Sequence, residues 1–495
     1  MFNYRVPFRP RVRLTSFCNQ KCKYCFAVDY LSSQKQVKEI QLHDLEKILF
    51  MCKNEGIGYI AWQGGEPLLH SKLDEIIKLH EKYSVKAMIF TNGTFADKLI
   101  PQLKHIIHSV LVNCNAPDTY DEKNLVTMHD NVIEMKEQFG NNRVAIGINI
   151  YAEDFDTSYI LDYARNMNIQ EVRVDITRPA PSHKNSFIDY NQVSALFQKA
   201  YSTVKMLYNN GISKVHFDCP FPLCLLNNDE KLGLWNFMYD DLKIGQCHTY
   251  LDITTNMNIS SCFCSIPFTD IPVSIFSSLT HAWQFIKNIE DDLRWNQPTQ
   301  QNCAQCTLWN TRQCQGGCLG YKVGDKQYID NDYVESHFDA LEYSKKVAEL
   351  FILFHQNRYS EFIKQYRDIE NLITQTQSQE IFHLYILSKM LSRDESMTVS
   401  YLKQNLKNAH NALSVALDYA CILHDNMRTN DAITIAYEGI SLAEQEKYKA
   451  YKLYELLHKI VHDNVESKKC LIQYFKLAPL ALKRQMMHND LMLME

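Results

Sequence analysis

Through the first part of the chain, hydrophobic and polar positions switch repeatedly between two periods. Residues 11–15 alternate apolar and polar side chains, which predicts a strand. Residues 41–54 place Leu42, Leu45, Ile48, Leu49 and Cys52 on one face at helical spacing. Short apolar runs follow at 59–62, 87–90, 110–112, 144–150 and 172–176, with helical stretches such as 73–83 and 131–139 between them. Strands that recur with helices between them predict parallel βαβ units. Sheets of that kind carry their sites on the loops that follow the strands.

Toward the C-terminus the pattern becomes helical throughout. Beyond residue 320 the only glycines are Gly324 and Gly439, and beyond Pro298 the only proline is Pro479. Phe362, Tyr366, Ile369 and Ile373 recur at helical spacing, as do Leu402, Leu406, Ala409, Leu413 and Ala416. Thr429-Asn430-Asp431 reads as a cap before Ala432, Ile435, Ala436, Ile440 and Ala443. Successive amphipathic helices of this length predict an array of helical hairpins, loosely similar to tetratricopeptide repeats. Such an array offers a concave surface for a peptide or protein, the alternative being a helical cap on the rest of the chain.

Composition narrows the setting. A chain of 495 residues is expected to form two or three domains, and 46% hydrophobic with 22% charged residues can fill their cores. A net charge of −5 gives no footprint for nucleic acid. The N-terminus has no signal-like apolar core and no run approaches about 18 apolar residues, so no membrane association is expected and a cytoplasmic location is. In that reducing compartment the sixteen cysteines read as metal ligands or catalytic groups rather than disulfides.

The cysteines are unevenly placed. Cys18, Cys22 and Cys25 form a tight group after the first predicted strand; Cys303, Cys306, Cys314 and Cys318 form another; Cys219, Cys224, Cys247, Cys262 and Cys264 lie more loosely between. Cys52, Cys114, Cys421 and Cys470 stand alone and read as small core residues. Three thiolates on a short loop can hold three irons of a 4Fe–4S cluster and leave the fourth iron open. Zinc stays open for both tight groups on spacing alone, although a structural zinc needs a fourth ligand and the first group has none adjacent.

The run Cys18-Asn-Gln-Lys-Cys22-Lys-Tyr24-Cys25-Phe26 resembles the CxxxCxxC signature of radical S-adenosylmethionine (SAM) enzymes. Gln63-Gly64-Gly65-Glu66-Pro67, after the second strand, resembles that family's GGEP motif, and Thr91-Asn92-Gly93-Thr94, after the third, its TNG turn. The resemblance implies a partial (β/α)6 barrel over residues 1–215, a 4Fe–4S cluster on Cys18, Cys22 and Cys25, and SAM chelated to its open iron. Gly64 and Gly65 are expected to let backbone approach SAM, and Glu66 to pair with its ammonium. Asn113, where the family often has serine, and Asn149 on the next strand are candidate SAM contacts. Tyr24 is placed beside the adenine and Phe26 against the cluster. The implied chemistry is reductive cleavage of SAM to a 5′-deoxyadenosyl radical that abstracts hydrogen from a substrate, with a flavodoxin- or ferredoxin-type electron donor.

The second tight group resembles the core of a SPASM domain, as in anaerobic sulfatase-maturating enzymes and peptide-modifying maturases. This assigns residues 216–338 to one or two auxiliary 4Fe–4S clusters and residues 339–495 to the helical domain. Cys247 and Cys262, fifteen residues apart, resemble the upstream element, and the resemblance places Cys318 with them and Cys303, Cys306 and Cys314 on the other cluster. The gap of seven residues between Cys306 and Cys314 is longer than usual, the expected upstream glycine falls near Met257 or Asn258, and no cysteine follows Cys318 before Cys421. Asp330, Asp332 or His337 are candidate replacements, and Cys219, Cys224 and Cys264 are candidate extra ligands.

The substrate expected from this resemblance is a ribosomally made peptide or protein that receives a crosslink, thioether or oxidation. A small molecule or cofactor precursor is the alternative, and an iron–sulfur sensing protein a further one. Only seventeen residues precede Cys18, so a peptide leader is expected to bind the helical region or a separate protein. Arg5, Arg9, Arg11 and Arg13 read as a solvated edge, and Asp175, His216, Asp218, Arg173 and Arg178 as ordinary polar residues near strand ends.

Overall fold

The computed structural model describes residues 8–33, 37–212, 214–217, 219–225, 247–263, 269–296, 301–310, 314–323, 334, 336–370, 375–409, 412–445 and 450–478. It divides into two compact units, Pro7–Lys345 and a second built from Lys346–Glu495 with Met1–Val6. The first is α/β. Its strands are β1 (Pro10–Thr15), β2 (Tyr59–Gly64), β3 (Lys86–Thr91), β4 (Ile107–Asn113), β5 (Val144–Ile150), β6 (Glu171–Ile176), β7 (Lys214–His216), β8 (Leu251–Ile253) and β9 (Ile259–Ser260). They form one sheet in the order β7-β6-β5-β4-β3-β2-β1-β8-β9. Every neighbouring pair is parallel except the hairpin β8–β9.

Parallel strands need crossovers, and helices Leu42–Glu55, Leu73–Tyr83, Glu122–Phe139, Tyr159–Asn166 and Val193–Asn209 supply them. Burial on both faces explains why β5 reads as the near-continuous apolar run VAIGINI. The helix anticipated at 131–139 begins earlier, at Glu122, where the Asp121 side chain accepts from Asn124 N at 2.7 Å. Its first turns are polar and Val126 is exposed, so hydrophobic period did not reveal them.

The sheet is curled. Arg11 of β1, Met88 and Phe90 of β3, Leu111 of β4, Ala145 and Asn149 of β5, and Arg173 and Asp175 of β6 line one cavity of about 200 Å³, which strands of a flat sheet could not share. Arg9, Arg11 and Arg13 of the N-terminal arm are not a solvated edge. Successive odd positions of a strand share one face, and here that face is the interior of the sheet. Arg13 is fully buried, donates to Asp252 Oδ2 at 3.0 Å, and lies 3.8 Å from the Phe263 ring centroid. Arg11 is 3.8 Å from Asp252, and Arg9 and Arg11 line the cavity. Arg5 lies outside the described residues.

The second unit is helical: Tyr359–Ile369, Gln375–Leu391, Val399–Lys407, Ala412–Asp425, Thr429–Gln445, Tyr451–Ile460 and Asn464–Leu477. The periodic run from Leu402 to Ala416 spans two helices, with Leu402 and Leu406 buried in Val399–Lys407 and Ala416 buried in Ala412–Asp425. Thr429-Asn430-Asp431 forms the first turn of its helix instead of a preceding cap, with Asp431 accepting from Arg428 Nε at 2.7 Å. A Cβ on Gly439 would stand 2.4 Å from that of Ala416, so this glycine permits the close approach of two helices. Ile373 lies outside the described residues. No described helix is long and apolar enough to cross a membrane.

Candidate functional site

The ends of β1, β2 and β3 are bonded into one unit. Gly65 N donates to Thr15 O and Glu66 N to Phe17 O, both at 2.8 Å, which lays the loop after β2 along the start of the cysteine loop. A Cβ on Gly64 would meet Thr15 O at 2.1 Å, and one on Gly65 would meet Phe17 O at 2.0 Å. These glycines therefore permit backbone to press on backbone, a role distinct from the ligand approach expected of them. Pro67 is buried and opens the short helix Pro67–Leu69.

Glu66 is buried and fully engaged. Its Oε1 accepts from Thr91 Oγ1 at 2.8 Å and from Leu68 N at 3.2 Å, and its Oε2 accepts from Asn92 N at 2.7 Å. Burial nevertheless pushes its carboxyl up to about 7. Asn92 Nδ2 donates to Asn19 Oδ1 at 2.8 Å and approaches Cys18 Sγ at 3.9 Å. Asn19 Nδ2 in turn donates to Thr94 O at 2.9 Å, so the turn after β3 is fastened to the loop between Cys18 and Cys22.

A second network closes the other side. The Tyr24 hydroxyl donates to Asn115 Oδ1 and accepts from Asn113 Nδ2, while Asn115 Nδ2 lies 3.4 Å from Cys22 Sγ. Asn149 Nδ2 donates to Asn113 Oδ1 at 2.6 Å, and Arg173 Nη2 to Asn149 Oδ1 at 3.1 Å. A Cβ on Gly147 would meet Arg173 Nε at 2.8 Å, so that glycine makes room for the guanidinium. Tyr24 stacks on Tyr151 with ring centroids 5.6 Å apart. Phe26 packs edge-on against Phe263, 5.5 Å away, joining the first cysteine loop to the residue after Cys262.

Cys18, Cys22, Cys25, Glu66, Thr91, Asn92, Asn113 and Asn149 all line one cavity of about 200 Å³. No three His, Cys, Asp or Glu side chains among the described residues form a group that could hold a single metal ion, while all three thiols line this one cavity. Burial, with Glu66 and Cys22 adding, pushes Cys18 up to about 11, and burial with Cys22 and Cys18 pushes Cys25 up to about 12. Binding a cationic cluster would displace those protons. Gln63 Oε1, buried at this cavity, has no hydrogen-bond partner among the described residues and is an acceptor available to a ligand. Three thiols and an unsatisfied acceptor facing one space are a donor set that fits an iron–sulfur cluster with an amine-bearing ligand.

The later cysteines gather in two places. Cys219, Cys247, Cys262 and Cys318 line the cavity enclosed by the curled sheet, beside Arg173 and Asp175. Cys303 and Cys306 lie on either side of a turn whose Cys306 N donates to Cys303 O at 3.0 Å, and Cys314 N donates to Leu308 O at 3.0 Å, which ties the second half of the motif to the first. Arg178 pairs with Asp175 at 3.8 Å and donates to Pro220 O at 3.2 Å, which holds the segment after Cys219 at the end of β6. His216 is 4.0 Å from Glu171, and His337 is 3.9 Å from Asp292. Cys264, Asp218, Asp330 and Asp332 lie outside the described residues. Sequence reasoning gave no role to Asn19, Gln63 or Asn115; the one available signal was position, since Asn19 and Gln63 adjoin motif residues and Asn115 lies two residues beyond Asn113.

A parallel α/β sheet with three cysteines after its first strand and a glycine-glycine-glutamate loop after its second defines a class. Residues 12–176 match the model of the Radical SAM superfamily, and the chain carries a radical SAM domain. Among curated proteins, GTP 3′,8-cyclase of Helicobacter pylori is 26% identical over 170 residues, 32% of this chain and 53% of that protein. An S-adenosylmethionine-dependent nucleotide dehydratase of Lacinutrix mariniflava is 32% identical over 110 residues, 22% of each chain. The chain thus spans about half, or less, of the length of the curated relatives it matches. Among solved structures, Streptococcus suis SuiB bound to S-adenosylmethionine is 16% identical, with 66% of this chain and 76% of that one covered at a TM-score of 0.47. Native anSMEcpe with bound AdoMet is also 16% identical, with 69% and 99% covered at a TM-score of 0.48.

Proposed function

We propose that this chain is a radical SAM enzyme acting on a peptide or protein side chain. The observation that carries the enzyme reading is the single cavity lined by Cys18, Cys22, Cys25, Glu66 and Asn92. In this reading the three thiolates hold a 4Fe–4S cluster, which when bound supplies the electron for SAM cleavage. Gln63 Oε1 accepts from the SAM ammonium, and ionised Glu66 adds attraction. Asn113 and Asn149, oriented by Tyr24 and Arg173, present polar groups to the carboxylate and ribose. Phe26 and Phe263 keep water from the space between cluster and substrate.

The peptide reading rests on the cysteines that follow the barrel, which resemble a SPASM domain, and on a helical unit able to offer a docking surface. A nucleotide-like small molecule is the second reading, favoured by the names of the curated relatives, which match only the SAM-binding part. Iron per chain after anaerobic reconstitution of a Cys18/Cys22/Cys25→Ala variant tests the auxiliary clusters. On the order of four to eight iron atoms should remain. Iron near zero, with zinc in its place, would remove the main support for a peptide substrate. A peptide fraction that stimulates 5′-deoxyadenosine release, and loses the effect after protease treatment, supports the peptide reading; stimulation that survives protease sinks it.

A further inference from the structure

We infer that Arg9 and Arg11, in the cavity enclosed by the curled sheet, hold an anionic group of the substrate, a carboxylate or a phosphate. This assignment rests on the reading above, in which a substrate lies beside the cysteine cavity, and adds the charge that the substrate must carry.

The enclosed cavity adjoins the one lined by Cys18, Cys22 and Cys25. Phe26, Gln63, Phe90, Leu111, Asn149 and Arg173 line both. A molecule in the enclosed cavity therefore presents one end at these shared residues, where Phe26, Phe90 and Leu111 offer apolar surface. Arg11 stands deeper in the sheet. It pairs in register with Ala61, Ala61 with Met88, and Met88 with Ser109. Met88 and Ser109 come two residues before Phe90 and Leu111, about 7 Å back along the strands. Arg9 precedes Arg11 by two positions, lines the same cavity, and donates to Met88 Sδ at 2.8 Å.

Neither guanidinium has a carboxylate to itself. A thioether is a weak acceptor, and the other neighbour of Arg9 is the Tyr59 ring, 5.8 Å away. Arg9 pairs with no carboxylate among the described residues. Arg11 makes no hydrogen bond among them; its Nε is 3.8 Å from Asp252 Oδ1, while Oδ2 of that carboxylate takes the bond from Arg13 at 3.0 Å. One carboxylate thus serves two guanidiniums. The Arg11 guanidinium carbon lies 3.2 Å from the centroid of the Tyr250 ring, an aromatic support that leaves its N–H groups for another acceptor. The carboxylates that line the cavity are engaged elsewhere: Glu171 with Lys214 at 3.6 Å, Asp175 with Arg178 at 3.8 Å, and Glu290 with Arg294 at 3.3 Å. Thr177 Oγ1, on a residue 2% exposed that lines the same cavity, has no hydrogen-bond partner among the described residues. Cations withdrawn from water and a buried hydroxyl left unbonded are both costly, and an anion with further polar groups would offset both.

Equilibrium binding to the anaerobically reconstituted full chain, with SAM present, tests this with three probes. These are the acetylated, amidated tripeptide Gly-Glu-Gly, its Gly-Gln-Gly counterpart, and inorganic pyrophosphate. We expect the glutamate peptide to bind at least about tenfold more tightly than the glutamine peptide, as charge-assisted bonds to arginine require. That preference should vanish in Arg9→Gln and in Arg11→Gln, and Arg11→Lys should keep part of it. Arg9→Gln leaves the pairing of Arg11 and Arg13 with Asp252 untouched, so it reads the site even if Arg11→Gln unfolds. If neither the peptide preference nor pyrophosphate binding depends on these arginines, the inference is overturned, and the peptide reading is left to its own protease test. If pyrophosphate binding alone depends on them, the anion site stands and its substrate is a phosphate-bearing small molecule, against the peptide reading.

Discussion

The backbone N–H of Asn92 donates to Glu66 Oε2 at 2.7 Å, and through this bond the loop after β2 and the turn after β3 behave as one body. Thr91 Oγ1 and Leu68 N donate to the other oxygen of the same carboxyl. Replacing Glu66 with alanine would leave three buried donors unsatisfied. The expected cost is about 2–4 kcal/mol, together with a loss of SAM affinity greater than about tenfold. Denaturant unfolding and equilibrium binding of SAM to the reconstituted protein measure the two. An unchanged midpoint would show that Glu66 does not hold the loops together.

The same carboxyl predicts a pH dependence. Burial raises Glu66 from 4.5 to about 7, so the folded chain binds its proton more tightly than the unfolded chain does. That contribution is fully present below about pH 4.5 and is lost as pH rises through about 7, worth roughly 3 kcal/mol over the window. The metal-free chain should therefore lose stability between pH 5 and pH 8, and Glu66→Gln should flatten part of the decline. Equal slopes for parent and variant in urea unfolding would refute the assignment. SAM affinity should move the other way, rising with pH as the carboxyl ionises beside an ammonium.

Gly65→Ala should abolish cluster assembly, because its Cβ would lie 2.0 Å from Phe17 O, next to Cys18. Gly58, where an added Cβ meets nothing within 4 Å, is the control. Iron content after reconstitution should fall severely for the first variant and stay at the parent level for the second.

Arg13 and Asp252 form a fully buried pair at 3.0 Å that joins β1 to β8. Arg13→Met leaves the buried Asp252 carboxylate with the longer pairing to Arg11, at 3.8 Å, and should cost about 3 kcal/mol, the low end for a broken buried pair. The double variant Arg13→Met with Asp252→Leu should recover most of that loss, since well-packed apolar residues often replace such pairs without penalty. A double variant as unstable as the single one would show that the other bonds of Arg13, to Ser260 and Ser261, carry the effect.

Much of the scaffold could be read from the sequence because it depends on local period. The strands at 144–150 and 172–176 and the helix Leu73–Tyr83 follow from apolar runs and 3.6-residue spacing, which near neighbours impose. The three motif loops were legible because cysteine, glycine and glutamate occur in a fixed order at consecutive strand ends. Tertiary structure decided what those residues touch. Gly64 and Gly65 serve backbone contact with β1, Glu66 ties two loops, and the odd-numbered arginines of β1 face inward because the sheet curls. It also decided that β8 and β9 extend the sheet beyond β1, and that Cys219 lines a cavity with Cys247, Cys262 and Cys318. Sequence period is set by a residue's neighbours in the chain, whereas a buried polar group must find its partner wherever the fold brings one, and Arg13 finds Asp252 across 239 positions.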